Sequence, residues 1–175
     1  MTHNNCDHAT CTTQNANSSV CQTVSEMDWE RGLWYAAFYG DRERVNYLID
    51  KSRDAKEAVN APDNGGYTPL HYAARMGHVE ICRTLLLNGA LIDAQTKSGK
   101  ATALHKASAF GKLDVVKFLI QAGACVNIQD VDGRTILHKA MENKNMELAN
   151  FLLATYPNLR AIRDRKGRCA VPSGY

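Results

Sequence analysis

Three histidines at nearly equal intervals are the residues of this chain best suited to chemistry. His71, His105 and His138 are separated by 34 and then 33 residues, and each follows a threonine by three positions. A histidine titrates near neutral pH, so it can transfer protons or bind a metal. A fixed interval of this size, however, is typical of stacked structural units.

The three histidines are not expected to form a shared catalytic or metal site. In a stack of helical units, equivalent positions lie on the order of 10 Å apart, too far to share a proton or a metal ion. The sequence contains no nucleophile elbow, phosphate-binding glycine loop or metalloprotease helix. It therefore predicts a protein that is not an enzyme and that uses no cofactor and no metal.

The elements that must position the histidines recur with them. Each unit has a polar turn with Gly, a threonine, a short helix of small residues and a longer apolar helix. Threonine caps a helix N-terminus, and the following histidine is expected to join the threonine hydroxyl to a carbonyl of the next unit. The motif residues are Thr68, Pro69, Leu70 and His71, then Thr102, Leu104 and His105, then Thr135, Leu137 and His138.

This motif and period resemble the ankyrin-repeat family, whose Thr-Pro-Leu-His signature is intact at Thr68 to His71. The resemblance covers roughly residues 27–170. It implies an all-α solenoid of stacked helix-turn-helix units with β-hairpin loops. It also implies a module that binds other proteins on its concave face and hairpin tips.

The repeat divides the chain into three parts. We expect a disordered tail over 1–27, a repeat domain over 28–160 and a truncated fifth repeat with a tail over 161–175. Within the domain lie an N-terminal cap (28–59), in which Trp34 closes the core, and repeats 60–92, 93–126 and 127–160. Because the fifth unit stops early, the apolar sides of the preceding unit are expected to be poorly covered. These are the sides of Ile136, Leu137, Leu148 and Leu152.

One turn departs from the pattern. Gly77 and Gly111 occupy the turn between the two helices of their repeats, and Lys144 stands at the matching position. A lysine held there with a left-handed backbone costs about 1 kcal/mol, unless Asn143 or Asn145 takes the strained conformation instead.

The exposed positions of the first helices predict a binding surface that is aromatic in its N-terminal half and polar in its C-terminal half. Aromatic residues, Met and Arg are enriched at the centres of protein interfaces. The alternative is packing between neighbouring helices, above all for Tyr39 and Phe110. The predicted partner-binding residues are Tyr35, Phe38, Tyr39, Tyr72, Arg75, Met76, Lys106, Phe110 and Lys139. The predicted polar rim consists of the tip residues Asp63, Asn64, Thr96, Lys97, Ser98, Asp130, Val131 and Asp132.

The six cysteines are expected to be reduced, because their placement is uneven and no signal peptide is evident. Cys82 lies on an apolar helix face and is expected to be buried, whereas Cys125 is expected to be partly exposed. A zinc site in the N-terminal tail is the alternative to a solvated tail. Its ligands would come from His3, Cys6, His8, Cys11 and Cys21.

Charge and hydropathy bear on the partner. The net charge is +3, and the segment from 160 to 168 concentrates Arg160, Arg163, Arg165, Lys166 and Arg168 against Asp164 alone. No apolar run long enough to span a bilayer occurs, so we expect a cytoplasmic or nuclear protein that does not bind membranes. The leading prediction is a monomeric adaptor for a protein of unknown identity. Nucleic-acid association or nuclear import through the basic segment is the alternative.

Asn127 is a candidate modification site. Leu119 lies eight residues before it, and this spacing resembles ankyrin sequences that an asparaginyl hydroxylase modifies. The alternative is that Asn127 bonds its own loop, as asparagine commonly does in turns. At Asn60 the matching upstream residue is Ser52, so Asn60 is expected to stay unmodified.

Overall fold

Helix pairs follow one another along the chain, as the repeat predicts. The computed structural model describes residues 32–171. The helices are α1 (Leu33–Tyr39), α2 (Arg42–Lys51), α3 (Ala55–Asn60), α4 (Pro69–Met76), α5 (Val79–Leu87), α6 (Ala103–Ala109), α7 (Leu113–Gln121), α8 (Ile136–Glu142) and α9 (Met146–Thr155), followed by a 3-10 helix, Pro157–Ala161.

The helices form two layers. The first helices α1, α4, α6 and α8 pack side by side in one layer, and the second helices α2, α5 and α7 pack in the other. Four alanines at the same position of successive first helices are fully buried, which lets these helices approach closely. The alanines are Ala36, Ala73, Ala107 and Ala140. The predicted all-α ankyrin solenoid is confirmed.

The hairpin loops between repeats contain no β-strand within residues 32–171. Each loop is closed by two backbone hydrogen bonds, such as those from the Asp63 N–H to the Tyr67 carbonyl and from the Gly66 N–H to the Asp63 carbonyl, both at 3.0 Å. A further bond joins each pair of neighbouring tips. The N–H groups of Lys97, Val131 and Arg165 donate to the carbonyls of Gly65, Gly99 and Asp132 at 3.0 Å, 2.9 Å and 2.9 Å. The tips therefore form a continuous edge along the solenoid.

Helix α3 was not predicted. Asp54 caps it, since its side chain accepts the N–H groups of Lys56 and Glu57 at 2.8 Å and 3.1 Å. The sequence Asp54-Ala-Lys-Glu57 carries the capping-box spacing that would have revealed this helix.

The prediction that the apolar side chains of the last complete unit are poorly covered is wrong. Ile136, Leu137, Leu148 and Leu152 are at most 1% exposed. Leu159 of the 3-10 helix is itself fully buried, and Ala170 and Val171 join the same core. An irregular segment therefore covers the apolar surface for which the sequence pattern offered no helix.

The strained turn falls on Lys144, as its position in the repeat predicts. Its φ is 58°, in the left-handed region that Gly77 and Gly111 occupy with φ of 97° and 64°. Asn143 and Asn145 keep negative φ values of −95° and −80°. The alternative in which a neighbouring asparagine takes the strain is therefore wrong.

Candidate functional site

The three motif histidines join the repeats. At His71, the backbone N–H and the hydroxyl of Thr68 lie 3.1 Å and 2.9 Å from the ring nitrogen Nδ1. On the other side of the ring, Nε2 lies 3.0 Å from the carbonyl oxygen of Ala101 in the next repeat. Since a carbonyl only accepts, Nε2 carries the proton and Nδ1 is the acceptor. His105 and His138 repeat the arrangement with the carbonyls of Arg134 and Arg168 at 3.1 Å and 3.2 Å.

Burial keeps the first two rings neutral. His71 is 1% exposed, and its removal from water is the main cause that lowers its pKa to about 4. Burial also lowers the pKa of His105. The predicted role of these residues is therefore structural.

A row of aromatic rings lies along the layer of first helices, on the side predicted to be the concave face. The Tyr35 and Tyr39 rings are 4.3 Å apart, and Phe38 lies 5.0 Å from Tyr39 and 6.2 Å from Tyr72. The row continues to Tyr67, whose ring is 5.6 Å from Tyr72. The sequence had not assigned Tyr67 to this surface, because it lies before the helix that carries the pattern.

Three members of the predicted surface are solvent-exposed. Tyr39 is 62% exposed, Phe110 48% and Met76 36%. They occupy one column at the C-terminal ends of α1, α4 and α6, where Phe110 is the residue that directly follows α6. The alternative, in which Tyr39 and Phe110 are buried between helices, is therefore wrong.

Tyr72 has a structural role as well. Its hydroxyl donates to Asp63 Oδ2 at 2.6 Å, while Oδ1 accepts the N–H groups of Gly65 and Tyr67. Burial, followed by the bond to Asp63, raises the pKa of Tyr72. Tyr72 thus holds the first hairpin against its own helix, and replacing it would disturb the fold as well as the surface.

Two cations of the same surface lie against aromatic rings. The Arg75 guanidinium is 4.6 Å from the centre of the Phe110 ring. Lys106 Nζ is 4.7 Å from the centre of the Tyr67 ring and donates to its hydroxyl at 3.1 Å. Such contacts favour a cation over a ring face.

The C-terminal half of the surface is polar, and its charged side chains form ion pairs with one another. Lys139 Nζ lies 2.7 Å from Asp130 Oδ2, and Arg134 pairs with Asp132 at 3.3 Å and with Glu142 at 3.2 Å. These residues line a groove of about 380 Å³ beside Phe110. Lys139, predicted as a partner-binding residue, is therefore already engaged by its own hairpin.

Two residues of the predicted polar rim point inward. Thr96 and Asp130 are buried, with 3% and 7% exposure. The Thr96 hydroxyl accepts the N–H of Ala101, and Asp130 Oδ1 accepts that of Asp132. Both side chains close their own turns, so the prediction that they contact a partner is wrong. The exposed tip residues are Asn64, Lys97, Ser98 and Asp132.

Comparison with known families agrees with this architecture. The model described as "Ankyrin repeats (3 copies)" matches residues 7–96 and 86–161. The chain belongs to the ankyrin-repeat family. Ankyrin repeats generally mediate protein–protein interactions, and the family is generally non-enzymatic.

Relatives are similar over part of their length. The human protein named ankyrin repeat domain-containing protein 39 is 49% identical over 90 residues, covering 51% of this chain and 47% of that protein. Its counterpart in cattle is 50% identical over 72 residues, covering 41% and 37%. A fission-yeast protein named palmitoyltransferase akr1 is 42% identical over 62 residues, covering 35% of this chain and 9% of that protein. The matched segments span less than half of these relatives.

The cysteines of the ankyrin repeats are free thiols. Cys82 is buried, and this burial raises its pKa to about 12. Cys125 is exposed. From Gly32 to Val171, no group of three potential metal ligands comes together, and no helix is long and apolar enough to cross a membrane. The zinc alternative in the N-terminal tail lies outside the described residues.

Asn127 differs from the asparagine at the equivalent place two repeats earlier. Asn60 donates to the carbonyls of Lys56 and Gly89 and accepts the Leu91 N–H at 2.7 Å, so its amide is fully bonded between repeats. Asn127 is exposed, and its side chain bonds no other described residue. The alternative in which Asn127 bonds its own loop is therefore absent from the described structure.

Some side chains of the basic segment 160–168 already bond to other groups of the protein itself. Arg168 Nη2 lies 2.7 Å from Asp164 Oδ2, and Arg163 donates to the Gly167 carbonyl at 2.7 Å. Arg165 and Lys166 are exposed on the last hairpin.

Proposed function

We propose that this ankyrin-repeat chain is a non-catalytic adaptor that binds a protein partner on its concave face. The observation that carries the proposal is the exposed column of Tyr39, Met76 and Phe110, flanked by the half-buried aromatic row. Aromatic residues and Met at the centre of a patch, with a polar rim, are typical of protein interfaces. The exposed hairpin tips supply that rim.

The proposal requires that the exposed rings of Tyr39 and Phe110 contact a partner rather than stabilise the fold. We would capture proteins from the cells that express the chain, using the unchanged protein and the double variant Tyr39→Ser, Phe110→Ser. The matched control is Tyr47→Ser, Met146→Ser, which alters side chains of similar exposure, 55% and 40%, on second helices. Equal thermal melting of all three proteins is established first.

Proteins retained by the unchanged chain and by the control, but lost with the concave-face variant, are the expected result. If the concave-face variant captures the same proteins in the same amounts, the proposed binding surface is wrong.

A nucleic-acid function through residues 160–168 has less support. Arg163 and Arg168 contact the protein itself, and Arg160 also has a partner. The segment therefore offers few cations to a phosphate backbone. A salt titration distinguishes the two functions. Counterion release makes nucleic-acid affinity fall steeply with salt, whereas binding to an aromatic protein interface depends on salt only weakly.

We further propose that Asn127 is a substrate site for an asparaginyl hydroxylase. The exposed side chain without a bond to another described residue supports this proposal, because the modifying enzyme must reach it. The left-handed Lys144 in the same repeat supports local opening of this unit. The proposal is compatible with an adaptor that has no activity of its own.

A further inference from the structure

We infer that the partner presents an acidic segment, whose carboxylates bind Arg75 and Lys106. Apolar side chains of the same segment pack on the column formed by Tyr39, Met76 and Phe110. The inference rests on the proposed function and adds the chemical class of the partner.

Arg75 is the first observation. Its half-buried guanidinium lies against the Phe110 ring and makes no hydrogen bond or ion pair with any described residue. A ring that covers one face of a guanidinium leaves the N–H groups of its edge directed outward in the plane. A carboxylate is the acceptor that matches this planar arrangement of donors, and it binds more strongly where water is partly excluded.

Lys106 is the second observation. One of its three N–H groups is used by the Tyr67 hydroxyl, and the ammonium pairs with no carboxylate of the described residues. The aromatic contact fixes the ammonium above the row of rings. A second acidic side chain of the same segment would bind it there.

The charges elsewhere on the same surface make these two cations distinctive. In the C-terminal half, Lys139 pairs with Asp130, and Arg134 pairs with Asp132 and Glu142. In the N-terminal half, the carboxylate of Asp63 contacts the aromatic row through the Tyr72 hydroxyl. Its two oxygens already accept hydrogen bonds from the Tyr72 hydroxyl and from the N–H groups of Gly65 and Tyr67.

Among the first-helix and hairpin cations Arg75, Lys106, Arg134 and Lys139, the two that pair with no carboxylate of the described residues, Arg75 and Lys106, therefore belong to the aromatic half. Cations without a countercharge attract an acidic partner segment and repel a basic one.

The spacing of the helices sets the form of the segment. Arg75 lies on α4 and Lys106 on α6, and packed helices have axes about 8–10 Å apart. An extended chain advances about 3.3 Å per residue. A segment that crosses the repeats therefore places two acidic residues about three positions apart, with apolar residues between or beside them.

The test selects peptides from a random phage-displayed library on the full-length chain. Enriched peptides are synthesised, and their affinities are measured for the unchanged chain and for Arg75→Gln, Lys106→Gln. The control is Arg83→Gln, Lys117→Gln, because these cations lie in the same way on the rings of Phe118 and Phe151, at 4.8 Å and 5.4 Å. The control pair belongs to the second helices, so it removes equal charge from the opposite side.

The expected result is enrichment of Asp and Glu near apolar residues, with affinity at least about tenfold lower for the Arg75 and Lys106 variant and unchanged for the control. Neutral or basic peptides that still require Tyr39 and Phe110 would overturn the inference while the proposed function stands. Peptides that bind regardless of every change on this face would overturn both. If no peptide is enriched, the inference is also overturned, because a surface that recognises a segment must bind one.

Discussion

His71 Nε2 donates a hydrogen bond to the carbonyl oxygen of Ala101 over 3.0 Å, across the boundary between two repeats. The proton on Nε2 and the lone pair on Nδ1 are both used, so this arrangement requires the neutral ring. Protonation at Nδ1 would turn an acceptor that faces the Thr68 N–H into a second donor. The joint between the repeats is therefore sensitive to acid.

Stability is expected to fall as the pH falls from 7 to 5. The pKa of His71 is about 4 in the folded chain and near 6.5 when unfolded, so the unfolded state binds more protons in this window. His71 alone is expected to remove about 2 kcal/mol of unfolding free energy at pH 5. His105, whose pKa is also lowered, adds to the loss. Urea unfolding at the two pH values measures the change.

Titration of the ring signals by NMR identifies the groups responsible. His71 is expected to stay neutral well below pH 6.5, and the pKa of His105 is expected to be lower than that of an exposed histidine. A ring that titrates near that value would be exposed, and the structural role assigned to it would be wrong.

Two glycines with similar backbone angles are expected to differ in their tolerance of alanine. A Cβ at Gly66 would lie 2.6 Å from the Lys97 backbone nitrogen, whereas at Gly123 it would meet nothing within 4 Å. Both have positive φ, at 82° and 97°, so both variants carry backbone strain. Gly66→Ala also disturbs the bond between neighbouring tips, and we expect it to cost at least about 1 kcal/mol more than Gly123→Ala. Equal midpoints in urea would contradict this account of the tips.

Replacing Lys144 by glycine is expected to stabilise the chain by about 1 kcal/mol. Its φ of 58° is strained for a side chain and relaxed for glycine. Lys144→Ala is the control, since it removes the charge and keeps the Cβ. A gain of similar size in both variants would assign the effect to charge rather than to the backbone.

Asn127 is expected to carry one added oxygen atom in protein purified from normoxic cells, and Asn60 is not. The reason is access: the Asn60 amide is bonded between repeats, and that of Asn127 is exposed. Mass spectrometry of the two peptides measures the modification. An unmodified Asn127 peptide detected at high coverage would refute the proposal, and oxygen at both sites would indicate unspecific oxidation.

The repeat period predicted the parts of the fold that depend on local chemistry. The hydrogen bonds between Thr68 and His71 lie within one helical turn. Tyr39 and Phe110 are exposed because the helix period places both on the solvent-facing side of the first helices. Contacts made by irregular segments were not predictable in this way. Leu159 completes the core from a 3-10 helix that has no counterpart in the motif.

The engagement of Lys139 by Asp130 was missed for a related reason. It depends on how a hairpin folds back on its helix, and sequence spacing alone does not encode this.

Site-specific photo-crosslinking in cells shows whether the concave face contacts a protein partner. A benzophenone amino acid is placed at Tyr39, at Phe110 or at Tyr47, three exposed rings of which only the first two lie on the concave face. If the concave face binds a protein, light-dependent protein adducts of the same mass form from positions 39 and 110 and none form from position 47. Adducts from position 47 alone, with none from the concave face, would contradict binding at the concave face.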